Sequence, residues 1–395
     1  MSKTYHYLPI SQVTYGEEAI EELPQAVERL NASRVVIITT SSLRNSAALE
    51  RIQALVEEKH VGTFFDTVQH TSTSSVIALA EQIRETGADT LISFGGGSVI
   101  DSVKALALAV AENVGSEQGF HEYAVRFTYP DQVEIPAIEN PTPTHLAIPT
   151  TLSAAEFSNI AGVTDESERI KHLYIDPKLT PKEVFLDPAL TLETPMWLWL
   201  SSGIRAVDHA VETLYSKHRQ AVTDALASRA LSMLRENLPK SKKDPEDLGV
   251  RENCQVASWM SFFGVTNVVL GLCHGIGHQI GAHCNVPHGY TSCTMLPHVM
   301  RYSLPATLEQ QQMITETLGV EISGLSVEEA AYRAPEEIGA MIKGLGLPRR
   351  LRDVGVNRED FEPIAKDALR DMVVASSPRP VENEETVIKL LEEAW

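Results

Sequence analysis

The chain has 395 residues, 43% of them hydrophobic and 22% charged, a composition that supports two buried cores and excludes disorder as the main state. Lys and Arg number 33 against 53 Asp and Glu, a formal charge of −20, so the surface repels polyanions and makes nucleic acid and anionic membrane poor partners. The first residues lack a basic flank followed by an apolar core, and no run approaches the roughly 20 apolar residues of a membrane span, so a cytoplasmic chain is expected.

Over residues 1–165 short β-branched runs alternate with helical patterns, which predicts a mostly parallel sheet flanked by helices. Residues 34–40 (RVVIITT) read as a buried strand, followed by a helix from Leu49 to Val56. A second strand at 89–94 is stopped by three glycines. A helix then opens at about Ser98, with Val103, Leu106, Ala107 and Val110 at helical spacing. Leu146-Ala147-Ile148 forms a third strand before Pro149. Residues 129–143 carry four prolines and several acids and read as a surface connection. From about Asp187 the pattern is almost wholly helical, with runs at 195–215, 222–238 and 384–394. The expected organisation is an α/β domain over 1–165 that binds a dinucleotide and an all-α domain over 166–395. Four cysteines, Cys254, Cys273, Cys284 and Cys293, are too few for a disulfide scaffold and lack zinc-knuckle spacing; free thiols are expected.

Gly95-Gly96-Gly97-Ser98 lies between a strand and a helix, where backbone N–H groups and the helix dipole favour an anion and the missing side chains let a pyrophosphate approach. The pattern also suits a plain tight turn. Asp101 and Lys104 follow on the first turns of that helix, where an acid is favoured on an exposed face. The first strand ends in Thr39-Thr40-Ser41-Ser42 rather than in the acid that would hold a ribose 2′-hydroxyl, which leaves NADPH open as well as NADH. Thr150, Thr151 and Ser153 follow the third strand at the edge where ligands of such sheets bind, within reach of ribose, phosphate or carboxamide, although an ordinary capped turn uses the same residues. In the helical half, His274 and His278 are four apart on one helix face, His288 follows fourteen positions after His274, and His209 sits in GIRAVDHAVE. Imidazoles converging from separate helices serve a divalent metal or a proton relay.

With these segments, together with Asp187-Pro188, Gly344-Leu345-Gly346-Leu347-Pro348 and Ser377-Pro378-Arg379-Pro380, the chain resembles the iron-containing alcohol dehydrogenase family, which also holds maleylacetate reductases. The resemblance implies an N-terminal Rossmann-like domain, a C-terminal helical domain, NAD(P)H as cofactor and commonly a homodimer. Metal-dependent members hold Fe²⁺ or Zn²⁺ with an Asp and a His four apart on one helix and two further His. His209, His274 and His288 match three of these ligands, and His278 matches the histidine of the proton relay.

The Asp position is Arg205. A cation one helical turn from His209 opposes a divalent ion, and Asp208 points about 100° away from His209 on a helix. Three imidazoles can still hold zinc, but a metal-free site is expected, as the resemblance to maleylacetate reductases also implies. Arg205 then binds a substrate carboxylate and polarises the region where alkoxide charge develops; the competing reading pairs it with Asp208 or Glu212. The implied function is an NAD(P)-dependent oxidoreductase acting on a small carbonyl or alcohol substrate, a carboxylate-bearing one such as maleylacetate among the candidates, while the segment from His274 to Gly289 is more similar to the alcohol dehydrogenase branch, so the resemblance lies between the two subgroups. The proposed cofactor set is Thr39, Thr40, Gly95, Gly96, Gly97, Ser98, Asp101, Thr150, Thr151 and Ser153. The proposed catalytic set is His278, Arg205, His209, His274 and His288. The alternatives are a metal-dependent alcohol dehydrogenase or a member recruited to a biosynthetic step other than simple redox.

Overall fold

The computed structural model describes residues 4–128 and 131–395, which fall into two compact units. One comprises Tyr7–Arg126 and Glu134–Thr194; the other is built on Pro195–Trp395, with short segments from the N-terminus and from around residue 130. The α/β-plus-helical architecture expected from the pattern is the one found.

The strands are β1 (Gln12–Tyr15), β2 (Val35–Ile38), β3 (His60–Phe64), β4 (Thr90–Gly95), β5 (Arg126–Thr128), β6 (Gln132–Glu134), β7 (Thr144–Pro149), β8 (Ile160–Asp165), β9 (Ile170–Ile175) and β10 (Glu183–Leu186). Six of them form one sheet in the order β1-β10-β7-β4-β2-β3, and every pairing in it is parallel. The central strands are buried on both faces, as a parallel sheet between helix layers requires. Val36, Ile38 and Leu91 face the helices Thr73–Thr86 and Gly97–Ala111, while Val35, Ile37, Ile92 and Phe94 face Leu23–Arg29 and Ala47–Leu55. The period-2 alternation of side chains along each strand makes these two cores.

The division between the units lies at 194/195, not at 165/166. β10 inserts between β1 and β7 and so carries residues 166–194 with the sheet. Its four residues, flanked by single-turn 3₁₀ helices, give little periodic signal. β8 and β9 form a separate antiparallel hairpin. The connection expected at 129–143 begins at Tyr129 and Pro130, which lie outside the described residues; β6 follows them.

In the helical unit, Met196–Tyr215 is buried around nearly its whole circumference, the mark of a central helix. Ala221–Lys243, Leu248–Phe262 and His288–Thr317 pack on it, and Leu272–Cys284 packs on the last of these. None of the four cysteines is in a disulfide. Among the described residues no single helix is long and apolar enough to cross a membrane.

Candidate active site

In the α/β unit, the ends of β2, β4 and β7 bring three of the expected cofactor segments to one edge of the sheet. Ile38 is in register with Ser93 and Gly95 with Pro149, so Thr39-Thr40, the glycine turn and Thr150–Ser153 follow adjacent strand ends. The Thr150 N–H donates to the Gly95 carbonyl at 3.0 Å. A Cβ on Gly96 would lie 3.0 Å from Thr151 Cγ2, and one on Gly97 would lie 2.9 Å from Ser153 Oγ. The hydroxyl segment thus crowds Gly96 and Gly97, while a Cβ on Gly95 would lie 2.7 Å from Val99 Cγ2.

Thr39 Oγ1, Thr151 Oγ1 and Ser153 Oγ are buried without a hydrogen-bond partner. Buried hydroxyls are normally satisfied; three orphaned at one strand edge, beside a helix N-terminus, suit the phosphates and ribose of a dinucleotide. Thr40 is half-buried beside them and forms a bridge with Asp66. Ser98 is engaged within the protein: its Oγ accepts from the His70 N–H at 3.3 Å and its carbonyl from Thr71 Oγ1 at 3.0 Å.

Asp101, of the expected cofactor set, is engaged within the protein through one oxygen. Its Oδ2 accepts from the Gly162 N–H at 3.3 Å and ties the helix to β8. Lys104 is structural. Its Nζ donates to the Ala155 and Ile160 carbonyls and to Ser158 Oγ at 2.6–2.9 Å, and burial brings its pKa down to about 8 against the pull of Asp101 and Glu156.

In the helical unit, Arg205, Asp208, His209 and Glu212 line one stripe of the Met196–Tyr215 helix at i, i+3, i+4 and i+7. Glu212 accepts from the Gly271 N–H at 2.7 Å, the Cys273 N–H at 2.9 Å and His274 Nδ1 at 2.7 Å. With its proton on Nδ1, His274 turns an unprotonated Nε2 into the protein, where it is buried with no hydrogen-bond partner. The His209 and His274 rings stack with centroids 5.0 Å apart. Burial first, then neighbouring positive charge, holds both imidazoles well below the usual histidine range, so both are neutral at pH 7. Burial also raises the Asp208 and Glu212 carboxyls above their ordinary values.

Arg205 is buried and donates through Nη1 to Ser292 Oγ at 3.1 Å and to Asp208 Oδ2 at 3.4 Å, while Ser292 Oγ donates to the same Asp208 oxygen at 2.6 Å. The pairing with Asp208 weighed from the sequence is therefore present, and Glu212 is occupied elsewhere. Among the described residues, Nη1 alone of its three nitrogens is engaged.

His209, His274 and His288 do not bring ligand atoms together as a preformed metal trio. Among the described residues of this unit, the group whose ligand atoms lie within 4.8 Å is Asp208, Glu212 and His274, and its acids are committed to Arg205, Ser292 and backbone N–H groups. His288 opens the His288–Thr317 helix, its ring 6.2 Å from that of His278. A Cβ on Gly277 would lie 2.7 Å from Thr291 Oγ1 and 3.7 Å from Arg205 Nη1, so the glycines of this segment allow the close helix packing that gathers these groups.

His278 Nδ1 and Asp371 Oδ2 are 2.8 Å apart. Asp371 also caps the short helix Met372–Ala375, its Oδ1 accepting from the Val373 N–H at 2.9 Å. A carboxylate on one ring nitrogen fixes tautomer and orientation and leaves the other nitrogen for proton transfer. Asp371, Ser292 and the role of Glu212 in orienting His274 were not apparent from the sequence. Asp371 lies 93 positions from His278, and no spacing rule connects them.

Fold and site together mark an oxidoreductase of a defined class. Residues 10–188 match the model described as iron-containing alcohol dehydrogenase, and residues 199–395 match that of the Fe-containing alcohol dehydrogenase family, C-terminal. The chain belongs to the iron-containing alcohol dehydrogenase family. It is 31% identical over 379 residues to the NAD-dependent methanol dehydrogenase of Bacillus methanolicus, covering 95% of this chain and 96% of that one. Among solved structures, a 1,3-propanediol oxidoreductase matches with a TM-score of 0.91 at 28% identity over 100% of both chains. The maleylacetate reductase of Rhizobium sp. strain MTP-10005 matches with a TM-score of 0.79 at 25% identity, over 100% of this chain and 98% of that one.

Proposed function

We propose that this protein is an NAD(P)H-dependent reductase of a carbonyl substrate bearing a carboxylate, of which maleylacetate is the model, and that it works without a catalytic metal. The observation that carries the reading is the buried Arg205 guanidinium with two nitrogens uncommitted, at the position where the family resemblance implies an anionic metal ligand. A permanent cation beside His209 and His274 repels a divalent ion at the distance of one helical turn, and the residues present do not suit one.

Bound nicotinamide supplies the hydride. The orphaned Thr39, Thr151 and Ser153 hydroxyls and the N–H groups of the glycine turn hold the cofactor. Arg205 takes a substrate carboxylate through its free nitrogens and stabilises the negative charge that develops on the carbonyl oxygen, the charge a Lewis acid stabilises in the metal-dependent relatives. The neutral rings of His209 and His274 line the substrate end without adding to the positive charge. His278, held by Asp371, delivers the proton to the new hydroxyl.

The test is Arg205→Met assayed with maleylacetate and with a carbonyl substrate lacking a carboxylate. A lost charge-assisted bond is worth about 1.5–3 kcal/mol, so kcat/KM for maleylacetate should fall by about 10–100-fold and that for the uncharged substrate by less. Equal losses on both substrates would assign Arg205 to structure and remove the carboxylate from the reading.

A further inference from the structure

A second cluster of ligand-type side chains lies in the α/β unit, on residues that neither the cofactor edge nor the histidine-rich helices use. Three elements build it. Asp165 ends β8, His172 lies on β9, and His121 closes the short helix Glu117–His121. In the hairpin register Val163 faces His172 and Asp165 faces Ile170, so Asp165 and His172 are diagonal neighbours on one face of the ribbon.

Asp165 is oriented before any ligand arrives. Its Oδ1 accepts from the Ser167 N–H, the Ser167 hydroxyl and the Glu168 N–H at 2.7–3.1 Å, which locks the carboxylate and leaves Oδ2 to face His121. His121 Nε2 stands 3.4 Å from that oxygen, yet it is buried and forms no hydrogen bond. The two atoms are close but misdirected for sharing a proton. The His121 and His172 rings lie with centroids 5.0 Å apart at 43°, and one ligand atom from each of the three residues falls within 4.8 Å of the others.

We infer that His121, Asp165 and His172 form a binding site for a divalent transition ion of the zinc type, a site independent of the oxidoreductase reading. Zinc takes imidazole nitrogen at 2.0–2.1 Å and carboxylate oxygen at 2.0–2.2 Å in a tetrahedron, so two of its ligands sit about 3.3 Å apart, the separation found between His121 Nε2 and Asp165 Oδ2. Two nitrogens and one oxygen suit zinc and not calcium or magnesium, which prefer all-oxygen shells. Both histidines are partly exposed, so an ion can enter and a water can complete the tetrahedron. A two-stranded ribbon has little stability of its own. An ion held by β8, β9 and the 117–121 helix ties the ribbon to the rest of the unit, stabilising the folded state through its affinity for that state alone.

The experiment uses the full chain, stripped with chelator and then given one equivalent of zinc, for wild type, His172→Gln and His121→Gln. Bound zinc per chain after gel filtration and the unfolding temperature with and without zinc are measured, and NAD(P)H oxidation serves as a check that each variant is folded. The expected result is one zinc retained by wild type with a rise in unfolding temperature. Both variants should lose the zinc and the rise while keeping the wild-type reductase rate. No zinc retained by wild type, or zinc retained equally by wild type and a folded variant, would overturn the site. If one variant fails to fold, the other decides.

Discussion

Replacing Asp371 with Asn tests the proton relay with little other damage. The side chain keeps its shape, and the Asn oxygen can still accept from the Val373 N–H and cap the Met372–Ala375 helix. What is lost is a carboxylate 2.8 Å from His278 Nδ1, in a pair whose side chains are 12% and 7% exposed, so that solvent screens it little. A hydrogen bond to a charged partner contributes about 1.5–3 kcal/mol. If that bond holds the imidazole in its working tautomer and stabilises it while it carries the proton, kcat should drop by about 10–100-fold. Steady-state NAD(P)H oxidation gives kcat, and quenching of protein fluorescence gives cofactor affinity, which should stay close to wild type. Wild-type kcat across the pH range, or a loss confined to cofactor binding, would refute the relay.

Other positions give sharp expectations. Gly97→Val puts a branched side chain where a single Cβ already lies 2.9 Å from Ser153 Oγ; cofactor affinity should fall at least tenfold in a fluorescence titration, and unchanged affinity would remove the turn from the cofactor site. Burial raises the pKa of Glu156 from 4.5 to about 7. The folded chain therefore keeps a proton that the unfolded chain releases, and this group's contribution to stability is present below pH 4.5 and lost as pH rises to about 7. Glu156→Gln should flatten the pH dependence of urea unfolding across that window by up to about 3 kcal/mol; an identical slope in the variant would contradict the assignment.

The sequence made legible what rests on local pattern. The glycine turn after β4 and the hydroxyl turn after β7 both show as strand-to-loop signals, and a parallel sheet places such ends side by side. The helical stripe of Arg205 and His209 follows from spacing alone. Contacts between distant segments were not legible. Asp208 meets Arg205 on its own helix and Ser292, the latter 84 residues away. Asp371 reaches His278 only because Met372–Ala375 packs against Leu272–Cys284. The unit boundary was set too early because β10 is four residues long and owes its place to β1 and β7 rather than to its own pattern. The bond from the Gly162 N–H to Asp101, between residues 61 positions apart, is another contact that no spacing rule connects.

The central claim is that Arg205 serves where relatives use a metal. It is tested most directly by the rate of maleylacetate reduction in protein stripped with a strong chelator, compared with the same protein given back iron or zinc, with bound metal measured in each sample. The account predicts an undiminished rate in the stripped protein and no gain on adding either ion, whatever metal His121, Asp165 and His172 take up. A rate abolished by stripping and restored by one ion per chain, in protein carrying His172→Gln as in wild type, would contradict it.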